Sequence, residues 1–182
     1  GCYRIEYGHA HTPGVSIILP TKNQLGMLQR CVETLLEKTA YSNYELLIVD
    51  NGSTDADACQ WLDGIEAMDS PQLRVLRYPH PFNYAAMNNL AAQHARGEYL
   101  VLLNNDTAIL QENWLDALLN HAQRPEVGVV VAKLLYPNGT VQHAGVVLGL
   151  RGPAEHPFNG QALDAPGYMY RLQVDQNYSA VT

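Results

Sequence analysis

The segment Gly97-Glu-Tyr-Leu-Val-Leu-Leu-Asn-Asn-Asp-Thr107 carries the strongest indication of this chain's architecture. Residues 99–103 are apolar or aromatic without alternation, a pattern that favours a strand buried on both faces of a parallel sheet. The run stops at Asn104, Asn105 and Asp106, at the carboxyl end of the predicted strand, where open α/β sheets bind their ligands. A carboxylate placed there can meet a phosphorylated ligand through Mg²⁺ or Mn²⁺, because these ions combine one or two carboxylates with phosphate oxygens.

Composition narrows the class of protein. The chain has 182 residues, of which 47% are hydrophobic, which is enough for one sizeable core. A formal net charge of -7, with few and scattered basic residues, argues against a nucleic-acid groove, so we expect no nucleic-acid partner. Cys2, Cys31 and Cys59 lack the spacing of a metal site and are interpreted as thiols in a reducing compartment.

No apolar run approaches the roughly 18 residues that a membrane-spanning helix needs. We therefore expect no membrane span in this chain and a cytoplasmic location. Because the chain opens without Met and ends on Ala180-Val-Thr182 without a stop signal, we expect it to be a piece of a longer protein. For that full-length protein, peripheral contact with the inner membrane is the alternative.

Apolar periodicity predicts strands that alternate with helices, which is typical of a mostly parallel sheet flanked by helices on both faces. Gly97 is predicted to end the third helix. An Asn-Gly pair in Pro137-Asn-Gly-Thr140 predicts a β-hairpin towards the C-terminus. We expect a lead-in segment at 1–14 and one domain at 15–182, with a Gly/Pro/His-rich loop after Arg151. The predicted strands are 15–19, 46–49, 73–78, 99–103, 127–135 and 141–148, and the predicted helices are 24–39, the segment after 55, 84–95 and the segment from about 113.

Polar side chains follow several of these strands. Right-handed crossovers bring the ends of parallel strands to one edge, so Pro20-Thr-Lys-Asn23, Asp50-Asn51 and Asn104-Asn-Asp106 are expected to line one crevice. Thr21, Asn23 and Asp50 offer donors and acceptors to a base and ribose, and Asn83 and Asn88 are further candidates.

Each candidate also has a structural alternative. Thr21 and Asn23 can cap the first helix, Asn83 can cap the third, Asp50 can belong to a turn, and Asp106 can cap the following helix. His143 and His156 receive no role, because neither has a partner at metal-binding spacing in the sequence.

Five motifs, taken together, resemble a known family. They are Val15-Ser-Ile-Ile-Leu-Pro-Thr-Lys-Asn23, Glu45-Leu-Leu-Ile-Val-Asp-Asn-Gly-Ser-Thr-Asp55, Phe82-Asn-Tyr-Ala-Ala-Met-Asn-Asn89, Gly97-Glu-Tyr-Leu-Val-Leu-Leu-Asn-Asn-Asp106 and Asn138-Gly-Thr-Val-Gln-His-Ala-Gly145. In this order and spacing they resemble a family 2 glycosyltransferase of the GT-A fold, in the bacterial rhamnosyltransferase-like branch that makes surface polysaccharides. The resemblance covers nearly everything from Val15 to Thr182.

The resemblance implies an α/β GT-A (Rossmann-like) fold and the inverting transfer of a sugar from a nucleotide-diphosphate sugar to a saccharide or lipid-linked acceptor. It implies that the Asp-x-Asp motif of the family falls on residues 104–106, so that Asp106 binds the Mg²⁺ or Mn²⁺ and Asn104 replaces the first carboxylate. The nucleotide-binding residues that it implies are Thr21, Asn23, Asp50, Asn83, Asn88 and Asn104, with Asp50 at the base.

No catalytic residue is assigned from the sequence. Inverting members of the family take a carboxylate base from a later segment, and no matching stretch precedes Thr182. We therefore expect this chain to bind the donor with little or no turnover. A non-catalytic nucleotide-binding or scaffolding module is the alternative, and the parent sequence downstream would distinguish the two.

Overall fold

A computed structural model describes residues 3–149 and 152–181 of the chain. The chain divides into two compact units. The first unit is Ala10–Leu115, and the second unit combines the residues up to His9 with those from Asp116 onwards. Cys2 and Arg151 lie outside the described residues, and the domain limits 1–14 and 15–182 stay a prediction.

The first unit is built on a four-stranded parallel sheet in the order β3-β2-β1-β4. The alternation of strands and helices that the periodicity predicted is confirmed, and the ends of the elements agree to within a few residues. The strands are β1 (Val15–Thr21), β2 (Tyr44–Asp50), β3 (Leu73–Arg77) and β4 (Tyr99–Leu102), and the helices are α1 (Leu25–Lys38), α2 (Ala56–Ala67) and α3 (Tyr84–His94). A fourth helix, α4, spans Trp114–Ala122.

The two central strands are buried on both faces. Ile18 and Leu47 pack with Met87 and Ala91 of α3 in one apolar cluster. Successive side chains of a strand point to opposite faces, so Ile17 belongs to the other face, where it is also fully buried. This double burial explains the continuous apolar runs in the middle of β1, at residues 17–19, and of β2, at residues 46–49.

The predicted burial of the strand at 99–103 is wrong. Leu100 is 48% exposed and Leu102 is 53% exposed, while their neighbours Tyr99 and Val101 are half-buried. β4 lies at the edge of the sheet and pairs with β1 alone among the described strands. An edge strand has a neighbour on one side only, so an apolar run there does not guarantee burial.

Gly97 does not end α3 in the way that was predicted. The helix ends at His94, its C-cap is Ala95 in an extended conformation, and Gly97 does not have the positive φ of a C-terminal glycine cap. A Cβ on Gly97 would instead lie 2.5 Å from the backbone nitrogen of Ser16. Glycine is required here because the chain passes against the backbone of β1.

The second unit contains the predicted hairpin. β5 (Leu134–Leu135) pairs antiparallel with β6 (Val141–His143), and Gly139 takes a φ of +82° in the turn between them. The predicted strands at 127–135 and 141–148 are too long, because this ladder is confined to Leu134–Leu135 and Val141–His143, with a register shift at Leu134/Leu135. A further short pair joins β7 (Val147–Leu148) to β8 (Ala154–Glu155), and a 3₁₀ turn spans Tyr168–Tyr170.

Val141, Phe158 and Leu172 form the apolar core of this second unit. Within residues 3–149 and 152–181, no helix combines the length and the hydropathy that a bilayer crossing requires.

Candidate functional site

A pocket of about 330 Å³ opens in the first unit, where β1 and β4 end and α3 begins. Four stretches that are distant in sequence supply its walls: the end of β1 with the residues after it, the turn after β2, the start of α3 with the residue before its cap, and the polar cluster after β4. The crevice that was expected from the strand ends is therefore present. Its lining residues are Pro20, Thr21, Lys22, Gln24, Asn51, Phe82, Tyr84, Met87, Asn104, Asn105 and Asp106.

Three of the predicted site residues line this pocket, namely Thr21, Asn104 and Asp106. The Oγ1 atom of Thr21 accepts a hydrogen bond of 3.1 Å from Nδ2 of Asn105, which ties the end of β1 to the loop after β4. Asp106 is exposed and has neither a hydrogen bond nor an ion pair with any residue that the structure describes. Its carboxylate is therefore available to a ligand. α4 begins only at Trp114, so Asp106 does not cap it.

Asp50 does not line the pocket. Its side chain is 3% exposed, and Oδ1 accepts hydrogen bonds from the backbone nitrogen (3.0 Å) and the hydroxyl (2.5 Å) of Ser53. Oδ2 accepts from Nη1 of Arg77 at 3.2 Å. Burial would lower the pKa of Arg77, but hydrogen bonds to Glu66 and Asp50 outweigh that effect and raise it. The Asp50 carboxylate is thus engaged with the turn and with Arg77, and its contact with a base stays a prediction.

Asn51, the next residue, does line the pocket, as expected for the crevice, although it was not among the predicted nucleotide-binding residues. Its Nδ2 atom donates to the carbonyl oxygens of Tyr78 (3.2 Å) and His80 (2.7 Å). Its Oδ1 atom is buried and has no hydrogen-bond partner among the described residues. A buried acceptor without a partner is costly, so a donor from a ligand would satisfy Asn51 at this position. The signal in the sequence was its place beside Asp50 at a strand end.

Asn23 lies outside the pocket lining. The structural alternative, that Asn23 caps α1, is wrong. The N-cap of α1 is Gln24, which makes no side-chain capping bond. Asn23 has a φ of +53°, and its Oδ1 accepts from the backbone nitrogens of Thr54 (2.7 Å) and Asp55 (3.1 Å). Asn23 therefore fastens the loop after β1 to the turn before α2.

Asn83 and Asn88 also lie outside the lining. Asn83 is the N-cap of α3, with Oδ1 accepting from the backbone nitrogen of Ala86 at 3.0 Å, as its structural alternative held. Asn88 donates from Nδ2 to the carbonyl oxygen of Tyr84 at 2.8 Å, and its buried Oδ1 has no partner among the described residues. Both side chains thus help to hold Tyr84, which does line the pocket.

Cys31 lies beneath this edge of the sheet. Burial raises the pKa of its thiol to about 11, and the negative charge of Asp106 adds to the effect. Its Sγ atom donates to the carbonyl oxygen of Asn104 at 3.7 Å. A thiol with so high a pKa is a poor nucleophile near neutral pH, and no catalytic role was predicted for Cys31.

His143 and His156 contact each other in the second unit. Their Nδ1 atoms are 2.9 Å apart, and the backbone nitrogen of Gly145 donates to Nε2 of His143 at 3.2 Å. Nε2 of His143 therefore accepts, so its proton sits on Nδ1 and points to His156. Burial, followed by the charge of His156, lowers the pKa of His143.

A divalent ion fits the pocket through one carboxylate. Asp106 is the carboxylate in the described lining, and Asn104 and Asn105, which also line the pocket, carry amide oxygens. Mg²⁺ and Mn²⁺ are often held in this way, with ligand phosphates and water completing the shell. Within the described residues there is no group of three or more His, Cys, Asp or Glu side chains that could hold an ion on their own.

The parallel sheet and the pocket at its carboxyl edge define an α/β domain of the class that binds ligands at the ends of its strands. Residues 16–168 match the family model described as Glycosyl transferase family 2, and the chain belongs to this family. The resemblance that the motifs indicated is thereby confirmed.

Two relatives and one solved structure illustrate the similarity. The O-antigen biosynthesis protein RfbC of Myxococcus xanthus is 49% identical over 160 residues, which cover 86% of this chain and 12% of that protein. The uncharacterised protein y4gI of Sinorhizobium fredii is 48% identical over 180 residues, covering 99% of this chain and 20% of that protein. This chain therefore spans a fifth or less of the length of these relatives.

The mannosyltransferase PcManGT of Pyrobaculum calidifontis, solved in complex with GDP-Man and Mn²⁺, superposes with a TM-score of 0.61 at 23% identity. The match covers 71% of this chain and 37% of that one. At this identity the likeness concerns the fold, and the predicted GT-A class is confirmed.

Proposed function

We propose that this chain is the donor-binding domain of a glycosyltransferase that transfers a sugar, with inversion, from a nucleotide-diphosphate sugar to a saccharide or lipid-linked acceptor. The surface polysaccharides of bacteria are the proposed products. The observation that carries the proposal is the pocket in which Thr21, Asn51 and Asp106 meet at one edge of the sheet. Membership of the family and the similarity to an O-antigen biosynthesis protein support it.

In this proposal the nucleoside lies against the ends of β1 and β2, and the diphosphate lies against the cluster after β4. Thr21 and the unpaired Oδ1 of Asn51 offer hydrogen bonds to the nucleoside. Asp106 holds Mg²⁺ or Mn²⁺, with Asn104 beside it. When bound, the ion supplies positive charge that stabilises the departing diphosphate. The solved mannosyltransferase of the same fold, which holds GDP-Man and Mn²⁺, supports this arrangement.

The remaining predicted residues do not line the pocket, and we propose that they hold the lining residues in position. Asp50 fixes the turn that carries Asn51, and Asn23 fixes the loop that follows Thr21. Asn83 and Asn88 stabilise the first turn of α3 through their hydrogen bonds. Because Oδ1 of Asn88 has no partner among the described residues, we also propose that it accepts a hydrogen bond from the nucleotide.

The acceptor hydroxyl needs a base, because it is a poor nucleophile until a positioned group removes its proton. Among the described residues that line the pocket, Asp106 is the one carboxylate, and in this proposal it would hold the metal ion and would not serve as the base. The chain's own part in the reaction is therefore to bind and orient the donor. We propose that the base comes from outside this lining.

Thermal unfolding with added nucleotide tests the proposal. UDP, GDP and dTDP are each added to the 182-residue chain with EDTA or with Mn²⁺, and melting is followed for the wild type, Asp106→Ala and the control Glu37→Ala. Glu37 is an exposed carboxylate of α1 outside the pocket lining. At a nucleotide concentration of about 100 times Kd, binding adds about 2.7 kcal/mol, which raises the Tm of a chain of this size by about 5–10 °C.

We expect one of the nucleotides to raise the Tm of the wild type and of Glu37→Ala, with a further rise in Mn²⁺ that Asp106→Ala loses. If no nucleotide moves the Tm of the wild type under either condition, the proposal is refuted. Equal gains with Mn²⁺ in Asp106→Ala would remove the metal role alone. A full-length parent that binds the nucleotide but never releases sugar from the donor would favour the non-catalytic module.

A further inference from the structure

We propose that Lys22 binds the diphosphate of the donor and supplies positive charge that a metal ion alone would otherwise have to provide. The pocket would then bind a nucleoside diphosphate even without a divalent cation. The inference rests on the proposed function, and it names the chemical group of the ligand that Lys22 recognises.

The charge of the pocket leaves a diphosphate in need of a further cation. Among the described lining residues, Lys22 is the one cation and Asp106 is the one anion, and the polar side chains of Thr21, Asn51 and Asn104 are neutral. The single carboxylate of Asp106 attracts a divalent ion less strongly than two carboxylates would, and position 104 carries a neutral asparagine. A diphosphate nevertheless brings at least two negative charges, so a second source of positive charge is required.

The ammonium group of Lys22 is not paired with any residue that the structure describes. The arginines near the sheet are paired with carboxylates: Arg74 with Glu45 at 2.7 Å, and Arg77 with Asp50, Asp63 and Glu66. Lys22 is exposed and makes no hydrogen bond or ion pair with any residue that the structure describes. A structural role in the fold would have given the ammonium group a partner.

The backbone on both sides of Lys22 is held in place by hydrogen bonds. The carbonyl oxygen of Thr21 accepts from the backbone nitrogen of Asn51 at 2.9 Å. The backbone nitrogen of Asn23 donates to the hydroxyl of Ser53 at 2.8 Å. Asn23 and Gln24 both take positive φ values, of 53° and 52°. Asparagine tolerates this conformation, but a residue such as glutamine rarely adopts it.

Together these contacts hold the backbone at Lys22 beside the pocket, and the Lys22 side chain makes no hydrogen bond or ion pair with any residue that the structure describes. Backbone strain of this kind persists only where the surrounding structure enforces it, and it is common at ligand sites. The loop therefore presents a point charge beside the pocket, which suits contact with phosphate oxygens.

Isothermal titration of the 182-residue chain tests the inference. Each of UDP, GDP and dTDP, together with its nucleoside, is titrated in EDTA and in saturating Mn²⁺. The variants are Lys22→Met, which keeps the stem but removes the charge, Lys22→Arg, which keeps the charge, and Lys38→Met as the matched control. Lys38 is an exposed lysine in the last turn of α1, outside the pocket lining. The Tm of each variant without nucleotide verifies that it is folded.

For the nucleotide that the wild type binds, Lys22→Met should raise Kd about tenfold in EDTA, as expected for one charge-assisted hydrogen bond at a solvated site. Affinity for the matching nucleoside should not change. Lys22→Arg and Lys38→Met should stay within about twofold of the wild type. In Mn²⁺ the loss should shrink to about threefold, because the ion neutralises the same oxygens.

Several outcomes overturn the inference and leave the donor site standing. They are binding by the wild type only in Mn²⁺, an unchanged Kd for the diphosphate in Lys22→Met, or an equal loss of nucleoside affinity, which would place Lys22 at the base. If the wild type binds no nucleotide under either condition, the proposed function fails and this inference fails with it.

Discussion

Replacing Gly97 with alanine tests how closely the chain before β4 passes against β1. A Cβ at this position would lie 2.5 Å from the nitrogen of Ser16, 2.7 Å from the carbonyl carbon of Val15 and 2.8 Å from its Cα. All three are backbone atoms of a fully buried strand, so no side-chain rotation can relieve the contact. Restoring ordinary contact distances would require the two backbones to separate by roughly 0.6–0.9 Å.

Such a separation also disturbs the hydrogen bonds at this crossing. The backbone nitrogen of Gly97 donates to the hydroxyl of Ser16 at 2.9 Å, and that hydroxyl donates to Glu45 at 2.7 Å. Overpacking of a core typically costs 1–3 kcal/mol, and a clash with backbone belongs at the upper end, about 3 kcal/mol. For a chain of this size, that loss lowers Tm by about 6–12 °C.

Gly64→Ala is the matched control, because the substitution is identical and the surroundings are open. Gly64 lies inside α2, and a Cβ there meets no atom within 4 Å. Alanine is the better helix former by about 0.8–1.0 kcal/mol, so this variant should melt about 2–4 °C higher than the wild type. Circular dichroism melts of the three proteins decide the matter. A Gly97→Ala variant within about 2 °C of the wild type would refute the close passage.

Three further predictions concern titratable side chains. Burial alone would raise the pKa of Glu45, but hydrogen bonds from Ser16, Arg96 and Arg74 outweigh it and lower the pKa below 4.5. Glu45→Gln should therefore lower the free energy of unfolding in urea by about 2 kcal/mol at pH 7. This difference should shrink as the pH falls from 4.5 through the lower pKa of the folded chain, so an equal difference at pH 7 and pH 3.5 would contradict the prediction. Burial and the charge of Asp106 raise the pKa of Cys31 to about 11. Iodoacetamide at pH 8 should therefore label Cys31 only after the chain unfolds, as measured by peptide mass spectrometry. Labelling of Cys31 in the folded chain would count against this prediction. Burial, followed by the charge of His156, lowers the pKa of His143 from 6.5, so His143 binds a proton more readily in the unfolded chain than in the folded chain. Lowering the pH from 7.5 to 5.5 should therefore reduce the Tm of the wild type more than that of His143→Gln. Equal losses of Tm would argue against this prediction.

The candidate site shows how far strand ends can be used to find a pocket. Thr21, Asn104 and Asp106 were expected at one edge, and they line the pocket there, because parallel strands linked by right-handed crossovers end on the same side. The choice between Asp50 and Asn51 was not available from the motif. It depends on Arg77, which lies 27 residues beyond Asp50 and engages its carboxylate.

Two other expectations failed for a similar reason. The apolar run at Tyr99–Leu102 correctly predicted a strand, but its half-exposed leucines reflect a position at the edge of the sheet, which periodicity does not encode. Gly97 was correctly singled out, but it is needed for the approach of β1, a segment some 80 residues earlier in the chain.

Local sequence was sufficient for the alternation of strands and helices, for the hairpin turn at Asn138-Gly139 and for the edge of the sheet at which a ligand would bind. These features follow from side-chain periodicity and turn chemistry, which act over a few residues. Long-range packing settled which carboxylates are paired, which remain open to a ligand and which strand lies at the edge. Those properties depend on groups that only folding brings within a few ångströms of each other, as it brings Arg77 to Asp50 and leaves Asp106 open.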